Sequence, residues 1–368
     1  MSAQVLARPE HAISGSVLVL IQFDVCEDLR LDQLQQAAHA RTVPPPRMKP
    51  PVPAYVRYER PPVVEPLEPI TLASGERLDA EIKYYDYGVV SVIFHLPFTG
   101  TWNSLVLLAS QWVWDADFVS RAEPIVRQKL ERAKSAMVKP YARWLSEDYF
   151  IFHVRADGKE PAADLARDHK FEIAQIVRGD KEPLSEGECV EVLQSRISYY
   201  ENDVSVIGWN AAFVYDTVTG AETAIQLLEY ANSQLLEFRQ YDELLTEILT
   251  GVYESLERKQ GLLSRWGMAR RATRLHRVLL EISELTERVD NAIKFVSDMF
   301  AARLYRVAAA RVGVPDYKNL VAQKLRTAEE LYQYMVEQFN HARGFFLEAI
   351  VVLILLIELV FLFRGHPS

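Results

Sequence analysis

The sequence predicts an α+β N-terminal domain, followed by a long antiparallel three-helix coiled-coil stalk that ends in one C-terminal transmembrane helix. Three observations predict this architecture. Strand-like and helix-like segments alternate over residues 1–216. Apolar residues then recur at helical spacing over residues 219–344, and residues 345–363 form an almost uninterrupted apolar run. Interleaved strands and helices are typical of a layered sheet domain, whereas the later patterns are typical of long helices.

The composition is that of an ordinary globular chain, with 368 residues of which 49% are hydrophobic and 25% are charged. This length is enough for two or three domains and a sizeable core. The net charge of −9 argues against a general nucleic-acid binder. Cys26 and Cys189 are too far apart in the sequence to indicate a zinc site or a disulfide framework, so we expect a reducing compartment. The first residues lack the apolar stretch of a signal peptide.

In the N-terminal domain, β-branched and apolar runs predict strands, and periodic segments predict helices. The predicted strands are 17–25, 84–98 with a turn near Asp86–Gly88, 148–155, and 203–216 as a strand pair or a strand with a bulge at Gly208. The predicted helices are 29–40, 103–114, 117–137 and 162–178. Ten prolines lie in residues 44–69, which predicts an extended surface linker, with a PxxP ligand as the alternative.

The catalytic motifs GxxxxGK[ST], GxGxxG, GxSxG and HExxH do not occur in the sequence. His95 and His153 lie in predicted apolar strands and could meet as a metal pair, but a satisfied core or surface histidine is the commoner role. We interpret Asp148, Asp157 and Glu160 as solvated acids. The sequence therefore predicts a non-enzymatic protein, and no cofactor or metal is expected.

Residues 219–344 are predicted to contain three long helices. The first is 221–256, and the second runs from about Met268 to Val312 with apolar residues in steps of three and four. Gly313 and Pro315 then interrupt the pattern, and Asp316 is available as an N-cap for the third helix. The third helix continues into the apolar run, with Gly344 as its one helix-breaking residue.

The apolar run 345–363 is predicted to span a membrane. As a helix its 19 residues are about 28 Å long, close to the roughly 30 Å of a bilayer core. Its sixteen Leu, Ile, Val and Phe residues contribute about −5 to −10 kcal/mol, against about 2 kcal/mol each for Glu348 and Glu358. A buried core helix is the alternative. A short tail, 364–368, follows, so we expect a tail-anchored, single-pass protein with its bulk on the cytoplasmic side, most simply at a bacterial inner membrane.

Two groups of residues are candidate sites. A basic turn, predicted between the first two helices, is expected to contact anionic lipid on the cytosolic face. Pairing with the acidic first helix or another subunit, and RNA binding, are the alternatives. The members of this basic turn are Arg258, Lys259, Arg265, Trp266, Arg270, Arg271, Arg274 and Arg277. Glu348 and Glu358 could form a carboxylate ring in a cation-conducting oligomer. Alternatively, Glu348 lies at the membrane interface and a protonated Glu358 is hydrogen-bonded between helices.

Residues 227–245 (LLEYANSQLLEFRQYDELL) and 347–361 (LEAIVVLILLIELVF) resemble the "required for meiotic nuclear division" family, which includes Sad1-interacting fungal members. Residues 87–90 (YGVV) are similar to a Gly-Val-Val strand of that family. The chain departs from it in having Ala349 where the family has Trp, and in lacking a His/Ser/Gln-bearing stretch before the stalk. The resemblance implies a distant bacterial-type member: a homo-oligomeric, membrane-tethered protein without established catalytic residues, in a family whose mitochondrial members support translation at the inner membrane.

Together these patterns predict a tail-anchored membrane scaffold or tether that self-associates through its stalk and anchor. The alternative is a subunit of an oligomeric ion channel, because the layout also resembles magnesium transporters of the CorA type. Those transporters have two spans joined by a Gly-Met-Asn loop, and this chain has one predicted span and no such loop. The expected partners are the lipid bilayer, further copies of the chain and a second protein, with RNA or the ribosome less favoured.

Overall fold

The computed structural model describes residues 12–38, 41–42, 61–72, 75–158, 160–257 and 299–364, and within 272–283 the helical residues 272–273, 275–277, 279–280 and 282–283. Contacts between Cα atoms divide the chain into two compact units. The first unit is Met1–Gln240 with Val289–Tyr317, and the second is Tyr241–Arg288 with Lys318–Ser368.

The first unit is built on a sheet of nine described strands in the order β2-β3-β4-β5-β1-β6-β9-β8-β7. All neighbours are antiparallel except β6 and β9, which are parallel. The strands are β1 Ile13–Leu29, β2 Arg41–Thr42, β3 Val63–Thr71, β4 Arg77–Tyr84, β5 Val89–Gly100, β6 Met137–Arg155, β7 Arg196–Ile197, β8 Val204–Ile207 and β9 Ala211–Asp216.

Helices occupy the connections between these strands and follow the last of them. They are α1 Leu31–Ala38, α2 Trp102–Asp115, α3 Val119–Arg132, α4 Ala162–Asp168, α5 Lys170–Arg178, α6 Glu186–Leu193, α7 Val218–Glu257, α8 Met299–Val312 and α9 Val314–Arg364, with a 3-10 turn at Lys134–Ala136. The mixed sheet domain and the long apolar C-terminal helix that the sequence predicts are therefore both present.

One face of the sheet carries the apolar core. Alternate residues of β1, namely Val17, Val19, Ile21 and Phe23, point to this face, as side chains of a strand must. They pack with apolar residues of α2, α3, α5 and α6. The aromatic rings of Phe118, Phe94 and Phe150 meet at its centre. This apolar face explains why periodicity alone indicated β1, β5 and α2.

The turn between β4 and β5 matches its prediction, because Gly88 has φ +92°. A Cβ atom at this position would lie 1.7 Å from the carbonyl oxygen of Cys26. Because β1 lies so close to the turn, the Val25 amide can donate a hydrogen bond to the Gly88 carbonyl oxygen at 3.1 Å. A residue without a side chain is therefore required, because both the left-handed backbone and the neighbouring strand exclude one.

The proline-rich segment requires a correction. The predicted linker 44–69 ends earlier than expected, because residues 63–69 belong to β3; residues 43–60 lie outside the described residues. β2 pairs with β3 only at Val63 and Val64. Pro66 and Pro69 lie beyond that pairing, where a strand tolerates a residue with no N–H. The register of β3 against β4 also shifts between Leu67 and Ile70.

Other boundaries also differ from the predictions. Residues 203–216 form the predicted strand pair, β8 and β9, but the helix predicted over 117–137 ends at Arg132 and β6 begins at Met137. Gly313, with φ +95°, separates α8 from α9 as expected. However, α9 begins at Val314, so Asp316 lies in the first turn and is not the N-cap. Pro315 is accommodated because the first turn needs no amide donor from it.

The second unit consists of described helical segments whose buried residues recur in steps of three, four or seven. They are Tyr241, Leu245, Leu249 and Val252; Leu275, Leu279 and Ile282; and Val321, Ala328 and Met335. Lys324 of α9 pairs with Asp242 of α7 at 2.6 Å, and His276 stacks on Tyr332 with ring centroids 4.8 Å apart. Residues 258–271 and 284–298 lie largely outside the described residues, so a three-helix coiled coil over 219–344 stays a prediction.

Candidate functional site

The apolar end of α9 is the first candidate site. The helix is continuous for 51 residues and passes through Gly344 without a break. Between Phe345 and Leu362 almost every large apolar side chain is 48–73% exposed, and none of the most apolar window is buried. Among the described residues α9 is the one helix long and apolar enough to cross a membrane, a test of length and composition only.

The two predicted intramembrane acids lie on this helix. Glu348 and Glu358 are both exposed, and their ten-residue separation corresponds to about 15 Å along the axis. Of the basic turn, only Arg277 belongs to the described residues, where it is helical and exposed. Arg258, Lys259, Arg265, Trp266, Arg270, Arg271 and Arg274 lie outside them. Their expected contact with lipid stays a prediction.

The second candidate site is a layer of polar side chains on the other face of the sheet. Lys83 of β4, Ser91 of β5, Gln22 of β1 and Glu147 of β6 are directly opposite one another in register across four strands. Lys83, Ser91 and Gln22 are buried. Buried charged and amide groups are costly unless they are paired, so their partners decide what this layer does.

The partners come from α7, which is buried on all sides over residues 227–238. Glu229 accepts from the Lys83 ammonium at 2.8 Å, and its carbonyl accepts from the Gln22 amide at 2.9 Å. Arg239 pairs with Glu147. These hydrogen bonds and ion pairs hold α7 against the sheet, and α7 as far as Gln240 belongs to the first compact unit. The sequence had predicted that these residues belong to the stalk.

Further hydrogen bonds enclose the same helix. The hydroxyls of Tyr87 and Ser233 lie 2.8 Å apart. The Tyr305 hydroxyl of α8 donates to the Gln234 side chain, whose amide donates to the Tyr230 hydroxyl at 3.2 Å. The middle of α7 is therefore a buried helix whose polar residues bond to both neighbours. Such networks specify one docked position for the helix, since a shift would leave buried groups unpaired.

Asp24 lies on the same face and, like the Ser91 hydroxyl, has no hydrogen-bonding partner among the described residues. Its side chain is fully buried, and neither of its oxygens has a hydrogen-bond partner among the described residues. Burial first, and then the Glu237 carboxylate of α7, raise the pKa of Asp24 well above its usual range. Burial and the charge of Asp24 likewise raise the pKa of the Cys26 thiol to about 12. These groups favour protonated forms.

His153 occupies the role of a core histidine. It lies on β6, is buried, and its Nε2 is 3.0 Å from the Asp216 carbonyl oxygen. A carbonyl can only accept, so Nε2 carries the proton and Nδ1 accepts from the Ser16 hydroxyl at 3.4 Å. His95 lies on β5, separated from β6 by β1. Within the described residues no group of three or more His, Cys, Asp or Glu side chains could hold a metal ion.

Sequence reasoning missed the polar layer and the burial of α7. The first signal was present in VLVLIQFDV, where Gln22 and Asp24 are two polar residues on one face of an otherwise apolar strand. The second was present in EYANSQLLE, where polar residues lie between the apolar positions of the helical pattern. Polar residues in such a pattern usually lie on the solvated face of a helix, so the sequence alone does not distinguish a buried helix from a stalk helix here.

Comparisons with known proteins matched residues 14–222 to the family described as "Uncharacterized protein MJ0711, N-terminal domain". A curated relative, "Uncharacterized protein MJ0711" of Methanocaldococcus jannaschii, is 19% identical over 194 residues, which cover 53% of this chain and 59% of that protein. The chain thus matches about three-fifths of the relative's length. No solved structure matches the chain. None of these comparisons supports the resemblance to the "required for meiotic nuclear division" family. The matched range contains Gln22, Asp24 and Lys83, and ends before Glu229 and Glu237.

Proposed function

This chain belongs to the family of the MJ0711 N-terminal domain, and we propose that it is a membrane-anchored scaffold or tether without enzymatic activity. The observation that carries the proposal is α9, whose apolar end is unburied over a length that matches a bilayer. Exposed apolar surface of this extent is unfavourable in water, because each buried methylene group gains about 0.8 kcal/mol. A bilayer would cover it.

Several features support self-association as part of this proposal. The described helical segments of the second unit already place apolar residues in steps of three, four or seven, the spacing that a coiled coil requires. We infer that 219–344 is completed as three helices, with the basic turn at the headgroups. Lys and Arg side chains are enriched on the cytoplasmic side of spans, so the basic turn favours a cytoplasmic location for the sheet domain.

Membrane anchoring is tested by two truncations of the full chain. A stop after Gly344 removes the apolar end of α9, whereas a stop after Arg364 removes only the tail and serves as the matched control. We expect the full chain and the control to resist extraction from membranes by alkaline carbonate, and the shorter chain to be soluble. Extraction of the full chain by carbonate, or retention of the shorter chain, would contradict the proposal.

A second candidate function is ion conduction, favoured by one observation: Glu348 and Glu358 are exposed on the otherwise apolar end of α9. Intramembrane carboxylates usually face protein or water. A pore built from one span per subunit needs a ring, so the mass of the protein in mild detergent, corrected for bound detergent, separates the two functions. A monomer or dimer excludes the pore. A ring of four or more that conducts cations, and loses conduction in Glu358→Gln, would replace the tether by a channel.

A further inference from the structure

The buried pair formed by Asp24 of β1 and Glu237 of α7 has an apolar enclosure. Val89 and Leu145 are the cross-strand neighbours of Asp24 on its two sides. Both pack with Leu236, the residue that precedes Glu237. Asp24 is 0% exposed and Glu237 is 2% exposed. Water is therefore kept from both carboxyl groups while α7 covers the sheet.

Among the described residues, the basic side chains that bind this part of α7 or the sheet are engaged by other acids, and none of them is a hydrogen-bonding partner of Asp24. Lys83 is engaged by Glu229 and Glu81, and Arg239 by Glu147. The other neighbouring titratable groups are Cys26 and Glu27 from β1, Tyr141 from β6, and Asp86 and Tyr87 from the β4–β5 turn. Each of these is neutral or negative at neutral pH. The nearby charges of Asp24 and Glu237, after burial, raise the pKa of Tyr141 far above its usual range.

We propose that Asp24 and Glu237 hold at least one proton between them while α7 is docked, and that loss of this proton to solvent loosens α7 from the sheet. Two neighbouring carboxylates in a low-dielectric space repel each other, and an ionised Asp24 would have no hydrogen-bond donor among the described residues. The pair is thus a pH-sensitive latch on the helix that leaves the sheet domain. This inference does not depend on membrane anchoring.

The direction of the pH effect follows from proton binding. The pKa of Asp24 is higher in the folded state than in the unfolded chain, so the folded state binds more protons between the two values. The docked state is fully favoured at pH values below the unfolded pKa, and its advantage is lost as the pH rises through the folded pKa. For one linked proton, the docking equilibrium changes about tenfold per pH unit within this window.

The test is amide hydrogen exchange of residues 227–238 in the full-length protein in mild detergent, over a range of pH and corrected for the intrinsic rate. In the wild type, we expect the opening equilibrium to rise up to about tenfold per pH unit as the pair loses its proton. Asp24→Asn keeps the shape but removes the ionisation, so its opening equilibrium should be flat with pH. The matched control is Asp79→Asn, an exposed acid on β4, which should behave as the wild type.

A second variant and a second measurement keep the latch testable if Asp24→Asn does not fold. Glu237→Gln removes the second carboxylate but leaves Asp24 buried, so the rise in the opening equilibrium should move to lower pH and should not disappear. Infrared spectra of the wild type at neutral pH should contain the C=O band of a protonated carboxylic acid, and this band should weaken in Asp24→Asn. No such band in the wild type, or the same pH dependence of exchange in all variants, would overturn the proposal.

Discussion

At the residue scale, two kinds of ion pair can be compared in the first unit. Lys83 and Glu229 form a buried pair with side chains 11% and 1% exposed, whereas Arg127 and Glu123 form a surface pair with side chains 55% and 39% exposed. Burial lowers the pKa of Lys83, but Glu229 and then Glu81 raise it by more, so the amine stays charged. The favourable contribution of Lys83 is therefore present at neutral pH and is lost only when the pH rises through its folded pKa.

We predict that Glu229→Gln destabilises the protein by about 3–5 kcal/mol, because it leaves the Lys83 charge buried with only the more distant Glu81 beside it. The matched control Glu123→Gln should cost less than about 1 kcal/mol, since the Arg127 charge remains in water. The free energy of unfolding in denaturant, measured in mild detergent, compares the two. If both variants lost the same free energy of unfolding, the buried ion pair would stabilise the protein no more than the surface pair does.

His153 gives the second prediction at this scale. Burial lowers the pKa of His153, so the unfolded chain binds a proton more readily and stability should fall as the pH drops below about 6.5, the usual His value. Protonation would also force Nδ1 to stop accepting from Ser16. His153→Gln should flatten this acid limb of the stability curve, and the exposed His341→Gln should leave it unchanged. Thermal unfolding from pH 5 to 8 provides the measurement; an identical acid limb in His153→Gln and the wild type would contradict the assignment.

At the scale of elements, two hairpin turns offer a matched pair of glycines. Gly75, between β3 and β4, and Gly88, between β4 and β5, have φ values of +98° and +92°. A Cβ atom at Gly75 would meet nothing within 4 Å, whereas one at Gly88 would collide with the backbone of Cys26. Both glycines therefore have a backbone conformation that strains other residues, but only the turn at Gly75 has room for a side chain.

We predict that Gly75→Ala costs about 1–2 kcal/mol, which is the strain of a left-handed residue with a side chain. Gly88→Ala should cost about 1–3 kcal/mol more, because the neighbouring strand must also move. The free energy of unfolding measures the difference. If both variants lost the same stability, the approach of β1 to the β4–β5 turn would be looser than the structure describes.

Elements with a clear apolar rhythm were predictable from the sequence, and elements defined by pairing were not. β1, β5 and the second half of β6 follow from runs such as VLVLIQFDV, because a strand with one apolar face must bury it, whereas β2, β3 and most of β4 were not predicted. The parallel pairing of β6 with β9 has no local signal, since it depends on the crossover through α4–α6. The role of Glu237 was hidden for a related reason: a glutamate in a helical pattern is normally solvated, and only the covering sheet shows that it is not.

At the scale of the whole molecule, the proposed membrane anchor is one part of a long helix, α9. Its 51 residues correspond to about 76 Å, of which the apolar end is about one third. Membrane insertion should depend on that third alone. The apolar residues contribute about −5 to −10 kcal/mol to the free energy of membrane insertion. Two charges at the centre of the span can offset this contribution, because each costs about 2.5–3.5 kcal/mol.

We therefore predict that the double variant Val352→Arg with Leu356→Arg abolishes stable insertion. Leu320→Arg adds a positive charge to the same helix outside the apolar end and should leave insertion intact. Co-sedimentation of the freshly synthesised chains with liposomes, followed by a carbonate wash, measures both. Retention of the double variant in the washed liposomes would show that the apolar end of α9 does not hold the protein in the bilayer.

The place of β1 in the sheet also matters while the protein is being made. β1 is central, paired with β5 on one side and β6 on the other, yet it is the first of the described strands in chain order. β1 ends at Leu29 and β6 begins at Met137, so at 5–20 residues per second the ribosome needs roughly 5–20 s to supply the second partner. During that interval a strongly apolar strand has an open edge. An open strand edge can pair with other chains, so the sheet is exposed to misassembly until β6 is supplied.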